Sequence, residues 1–128
     1  MSVKTKAQKD MALACLLVSE VAGKSDETKK IYGGLCHSFP VMVRQCGLCQ
    51  ALAFSESKKA SNENDRLDAH AILLQHVGRL IKSDNPLEEV RNADTTMYML
   101  HTRRILSAWI YFKRFAVSIL KVESGGNE

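Results

Sequence analysis

Arg103, Arg104, Lys113, Arg114 and Lys121 are the charged side chains between Thr95 and Val122, a stretch without an aspartate or glutamate. Cations unopposed over such a length suit a polyanion. Arginine suits it best, because its planar fork binds phosphate oxygens in pairs. Two other sets of residues could do chemistry. Cys46-Gly47-Leu48-Cys49 has the spacing of a redox or zinc pair. A structural zinc needs four ligands, however, and the nearest others are Cys36 and His37, on the far side of Pro40. A thioredoxin-like role needs the motif to open a helix after a strand, and no strand is expected. The cysteines read as small buried hydrophobes rather than a disulfide framework, and no metal or other cofactor is expected. His37, His70, His76 and His101 lack metal-ligand spacing. Asp68 and His70, two apart on a helix, point in different directions, so surface or boundary histidines are the expectation. A glycine-rich phosphate loop, a nucleophile elbow and a carboxylate cluster are all missing, which leaves no enzyme signature.

The elements that must position these residues read as helices. Residues 3–22 carry Ala7, Met11, Ala14, Leu17, Val18 and Val21 at helical spacing, with Gly23 as a stop. Ser25 or Asp26 caps the next helix, whose stripe runs Tyr32, Leu35, Phe39, Val43 and Cys46. Pro40 lies inside that pattern and predicts a kink or a break into two short helices. Gly47 predicts a second bend before the alanine-rich Leu48–Phe54. Ser55–Asn64 is polar and reads as a loop. A helix over Asp65–Lys82 should bury Leu67, Ala71, Leu74, Val77 and Ile81. Asn85-Pro86-Leu87-Glu88 is a compact start with a capping box, Asp94-Thr95-Thr96 begins the final helix, and Ser124–Glu128 reads as frayed tail. The expectation is an all-α fold, a compact bundle of about five to seven helices with a long C-terminal helix over Asp94–Lys121.

Advanced by ~100° per residue, that last helix separates into two stripes. Tyr98, Thr102, Ile105, Trp109, Phe112, Ala116 and Ile119 should be core. Thr96, Arg103, Ser107, Tyr111, Arg114, Ser118 and Lys121 fall opposite, flanked by Arg104 and Lys113, so the outer face reads as purely basic. Arg103 to Lys121 spans ~27 Å at ~1.5 Å per residue, enough to touch several phosphates. The interleaved serines could add neutral contacts to phosphate or a ribose 2′-OH. Basic residues near a helix C-terminus are also what the macrodipole favours, so a merely solvated basic face is the competing reading. No sequence-reading motif is present, which points to backbone and shape.

Composition sets the outer limits. The 128 residues, 45% hydrophobic and 25% charged, are those of one ordinary globular domain over 1–128. No stretch approaches the ~18–20 apolar residues of a membrane span, and Lys4, Lys6, Lys9 and Asp10 interrupt any targeting core. A soluble cytoplasmic protein is expected. The net charge of +4 hides segregation: residues 28–55 carry Lys29, Lys30 and Arg44 with no acid, whereas 56–94 are net acidic.

Two segments together resemble a known family. Gly47-Leu48-Cys49-Gln50-Ala51-Leu52-Ala53-Phe54 is similar to the "Gly-Leu-x-Gln-x-Leu-Ala-Phe" signature of the small helical subunit of the type III-B CRISPR (Cmr) effector complex. Tyr98, Met99 and Leu100, followed by Trp109 and Phe112-Lys113-Arg114-Phe115-Ala116, look like that family's closing helix, and the order of helices and the lysine-rich N-terminal helix agree. Cys49 stands where the family motif often has a small residue. The resemblance implies a non-catalytic subunit that stacks in several copies inside a ribonucleoprotein used in antiviral defence. It would lie beside the backbone and large subunits and line the channel where guide and target RNA pair, with no membrane involved. It implies RNA-backbone contact at Lys113 and Arg114 most directly. Arg44, Arg103, Arg104 and Lys121 join them from the charge pattern of this chain. Gly47 and Gln50 would serve the helix bend and its hydrogen bonding, with partner contact by Gln50 as an alternative. Two other readings compete: a protein–protein packing module that never touches RNA, and a metal- or redox-dependent regulator using Cys46 and Cys49.

Overall fold

The computed structural model describes residues 3–59 and 64–123. They form α1 (Lys6–Val21), α2 (Asp26–Cys46), α3 (Leu48–Lys59), α4 (Asn64–Ile81), α5 (Pro86–Arg91) and α6 (Thr95–Ser118), with no strand among the described residues. Local chemistry sets most boundaries. Thr5 and Gln8 form a reciprocal capping box ahead of α1, Ser25 accepts the Thr28 amide, and Asp94 accepts the Met97 amide at 2.8 Å. Before α5, Asn85 accepts the Glu88 amide, but the Glu88 carboxylate takes the Asn85 side-chain amide instead of completing a capping box. The Asn85 backbone N–H goes to Ser83.

Pro40 does not break α2, which runs through it as one helix. A proline withholds the N–H that would bond the carbonyl four residues back, here that of Cys36. The indole Nε1–H of Trp109, on α6, donates to the Cys36 carbonyl at 2.9 Å and fills the gap. Trp109 is fully buried, stacks on Phe112 with centroids 4.3 Å apart, and meets Phe39 at 4.9 Å. A residue of α6 thus repairs α2, and the same ring anchors the core.

Three further expectations change in the structure. The polar segment from Ser55 is helical as far as Lys59, Ala60–Glu63 lie outside the described residues, and Asn64 already opens α4. Ser55 is buried against His70 Nδ1 at 3.2 Å, and Lys58 lies over the Phe54 ring, so polar residues here serve helix contacts. On α4 the buried apolar side chains are Ala69, Ile72, Leu73, Leu74, Val77 and Leu80, while Leu67, Ala71 and Ile81 are only half-buried. The helix packs against α2, α3, α5 and α6 and therefore buries a wider arc than one stripe. Finally, all four histidines are buried rather than superficial.

Two of those histidines make the fold acid-sensitive. Burial pushes the His76 and His70 imidazoles down to about 4, with Arg79 adding to the effect on His76, and Arg66 and Lys58 on His70. Burial also holds the Tyr32 hydroxyl well above its usual range, so Tyr32 keeps its proton and donates it to His76 Nδ1. Both histidines are neutral when folded, whereas the unfolded chain protonates them below about 6.5. Their stabilisation is present above that value and declines as pH falls towards about 4. Denaturant titrations should show a loss of about 2 kcal/mol per histidine between pH 7 and pH 5. Equal unfolding free energies at those two pH values would refute this assignment.

Candidate nucleic-acid interface

α6 holds its charges on a crest because its opposite side is locked down. His101, Ile105, Ala108, Trp109, Phe112 and Ala116 are buried, and Tyr98 is pinned by its hydroxyl, which accepts the Cys49 amide of α3 at 3.0 Å. That contact explains the Gly47–Phe54 segment. Gly47 ends α2 at φ 89°, where a side chain would be strained, and has none with which to cap α3. Tyr98 supplies the missing acceptor from another helix, while Leu48, Ala51 and Leu52 point into the core. Gln50 takes no part in the bend and its side chain is exposed.

Arg103 and Arg114 are exposed and, three turns apart, fall on one line of the crest about 16 Å apart. Among the described residues neither they nor Lys113 meets a carboxylate at ion-pair distance. Lys113 and Arg114 border a groove of about 540 Å³ between α6 and α2, with Ile110, Val117, Ser118 and His37. Arg44 is exposed on the same face of α2 as His37, two turns further along. These residues can collect phosphate oxygens through charge alone or, for arginine, through paired N–H donors.

The other two cations are placed differently. Arg104 is turned off the crest and bonds Asp10 of α1 at 2.6 Å, where the aspartate side chain is only 5% exposed. Its charge is engaged within the bundle. Lys121 is not on the helix, which ends at Ser118. The Val122 amide closes the turn onto the Ala116 carbonyl, leaving Lys121 at φ 63°. Lys121 shares a groove with Lys29, Lys30, Asp26 and Glu123, so acids stand beside it. Val122 in turn packs directly on Gly33, and its carbonyl accepts from His37 Nε2 at 2.9 Å.

The outer face is not purely basic. Met99, Leu100 and Ile110 are each about half exposed and interleave with Arg103 and Arg114. Two cations absent from the stripe also arrive there: Lys6 at the start of α1 and Lys82 just after α4 line a groove of about 430 Å³ with Arg103. The lysine-rich N-terminal helix was the only sequence signal for this, and it carried no direction in space.

The cysteines form no comparable site. Cys36 is buried, with its thiol pushed up to about 12 by burial, whereas Cys46 is exposed and Cys49 half-buried. Cys46 is therefore not the buried hydrophobe expected, since it falls at the outward-facing end of α2. Among the described residues no group of three or more His, Cys, Asp or Glu side chains is placed to hold a metal ion.

Comparison with known proteins agrees with this architecture. Residues 6–119 match the family described as CRISPR-associated protein (Cas_Cmr5). The CRISPR system Cmr subunit Cmr5 of Thermus thermophilus is 32% identical over 93 residues, covering 70% of this chain and 75% of that protein. The crystal structure of a CRISPR-associated Cmr5 family protein, also from Thermus thermophilus, superposes with a TM-score of 0.75 at 31% identity, covering 91% of this chain and 98% of that one. With the family match spanning most of its helices, and relatives at 31–32% identity, the chain belongs to the CRISPR-associated Cmr5 family.

Proposed function

We propose that this chain is the non-catalytic small subunit of a CRISPR type III-B (Cmr) effector ribonucleoprotein. In this reading its 128 residues act as one helical domain, and the α6 crest lies along RNA backbone in the channel where guide and target pair. Its partners are the other Cmr subunits, further copies of itself and the RNA, in the cytoplasm. No chemistry of its own is assigned. The observation that carries this is the alignment of Arg103 and Arg114, exposed and free of carboxylate partners among the described residues. Lys113 and Arg44 extend the same side, and Lys121 is a peripheral contributor. Arg104 serves the bundle through Asp10. Among the described residues no helix is long and apolar enough to cross a membrane.

Each phosphate neutralised by a cation releases a counterion, so affinity falls with salt in proportion to the contacts. Replacing Arg103 and Arg114 together by glutamine in the assembled complex should make the log–log salt slope shallower by about 1.4–1.8 and weaken RNA binding. Unchanged affinity and slope would reduce the crest to solvated surface.

A second reading rests on Met99, Leu100 and Ile110, exposed on that same face. Apolar side chains among arginines are also how a protein–protein interface is composed. In that case the crest docks on a neighbouring subunit, and crosslinks from guide-loaded complex to target RNA would fall entirely on other subunits.

A further inference from the structure

We propose that the groove where α6 meets the start of α1 and the end of α4 is a separate RNA site that takes a single unpaired nucleotide. This rests on the reading that the chain works on RNA, and extends that role from Arg103 to Lys6 and Lys82, which lie off the α6 stripe. Lys6, Lys82 and Arg103 come from three different elements and converge on one depression of about 430 Å³. That is within the roughly 300–1,000 Å³ of small-ligand sites. The remaining charge on the groove, Arg104, is balanced by Asp10. Glu89 is directed to the groove-lining His101 at 3.4 Å. The field in the groove is therefore positive.

Lys82 is held there at a conformational cost. It sits at φ 58°, a left-handed backbone that glycine or asparagine adopts more readily. The Ser83 amide bonds the Gly78 carbonyl, and the Ser83 carbonyl lies where a side chain on Gly78 would have to be. This tight closure fixes where Lys82 leaves the helix. The turn is a helix C-terminal cap, with the left-handed residue just past the last turn.

The floor decides which form of RNA fits. Between the cations lie Leu80, Ile81 and Leu100, the last of them about half exposed. A paired duplex keeps its bases stacked inside and offers only phosphate and ribose, which leaves an apolar floor without a partner. An unpaired nucleotide can place its base or ribose face on Leu100 and Ile81 while its phosphate meets Lys6, Lys82 and Arg103. The groove beside Arg114 also has apolar lining in Ile110 and Val117, but its cations, Lys113 and Arg114, come from α6 alone and follow one line of backbone.

Titration of the full chain with single-stranded oligouridine, followed by amide NMR, should shift Lys6, Lys82, Leu100 and Arg103. A blunt RNA duplex of equal length should move Arg103 and the Ile110–Ser118 end but leave Lys6 and Lys82 in place. The Lys6→Gln/Lys82→Gln variant replaces exposed side chains and should keep the fold while losing about tenfold in oligouridine affinity at low salt. Duplex binding should be unchanged in that variant and weakened by Arg114→Gln. Equal losses for both probes would overturn the single-strand assignment. Oligouridine affinity untouched by Lys6→Gln/Lys82→Gln, with Arg114→Gln still weakening the duplex, would overturn this site alone and leave the proposed function standing. Shifts with neither probe would overturn both.

Discussion

Trp109→Phe is expected to lower the unfolding free energy by about 2–4 kcal/mol, and Trp109→Ala by more. Phenylalanine keeps an aromatic ring in the core but removes the donor that satisfies the Cys36 carbonyl. A buried acceptor left without a partner costs roughly 1–3 kcal/mol, and the smaller ring adds a cavity term beside Phe39 and Phe112. The bond exists because Pro40 has no N–H to give. Pro40→Ala restores a helical donor to the same carbonyl, so Trp109→Phe should cost less in that background. A double-mutant cycle should show a coupling of about 1–2 kcal/mol between positions that lie on different helices. Strict additivity would mean that the indole bond does not stand in for the missing helical one.

Arg104→Gln is the second large effect, with an expected loss of about 3 kcal/mol. Asp10 is 4% exposed, and removal of its partner strands a carboxylate inside the α1–α6 contact. Breaking a buried pair from one side costs roughly 3–5 kcal/mol, and the partly exposed guanidinium places this one at the lower end. Asp10→Asn combined with Arg104→Gln removes both charges and should recover most of the loss. The same variants separate Arg104 from its neighbour in sequence. Arg103→Gln should leave thermal stability within about 0.5 kcal/mol of the parent, as surface substitutions do, and act on RNA binding instead. If Arg104→Gln left stability untouched and flattened the salt slope, Arg104 would belong to the RNA-facing set.

These two residues show why adjacent cations in the sequence need not share a role. Arg103 and Arg104 differ by one position, which on a helix is a rotation of ~100°. Arg103 falls on the crest and Arg104 on the flank that α1 covers. Charge pattern alone groups them, and only the position of α1 divides them. Lys6 and Lys82 are the converse case. Each is ordinary in its own segment, and they line one groove with Arg103 because the start of α1 and the end of α4 meet α6 there.

Local interactions within a few residues made the all-helical class, the starts of α2, α5 and α6 and the core stripe of α6 legible in the chain itself. Caps such as Ser25, Asn85 and Asp94 act over three positions, and the burial of Ile105, Trp109, Phe112 and Ala116 follows from a 3.6-residue period. The resemblance carried by Gly47–Phe54 and Trp109–Ala116 was legible for the same reason, as both are short contiguous segments. What the tertiary structure alone decided are the contacts across long separations. Trp109 meets Cys36 and keeps α2 whole, Tyr98 caps α3, Asp10 claims Arg104, and the turn at Lys121 takes that cation off the helix. Periodicity assigns a residue to a face of its own helix, but the partner that covers or charges that face comes from chain folded back from 49 to 94 residues away.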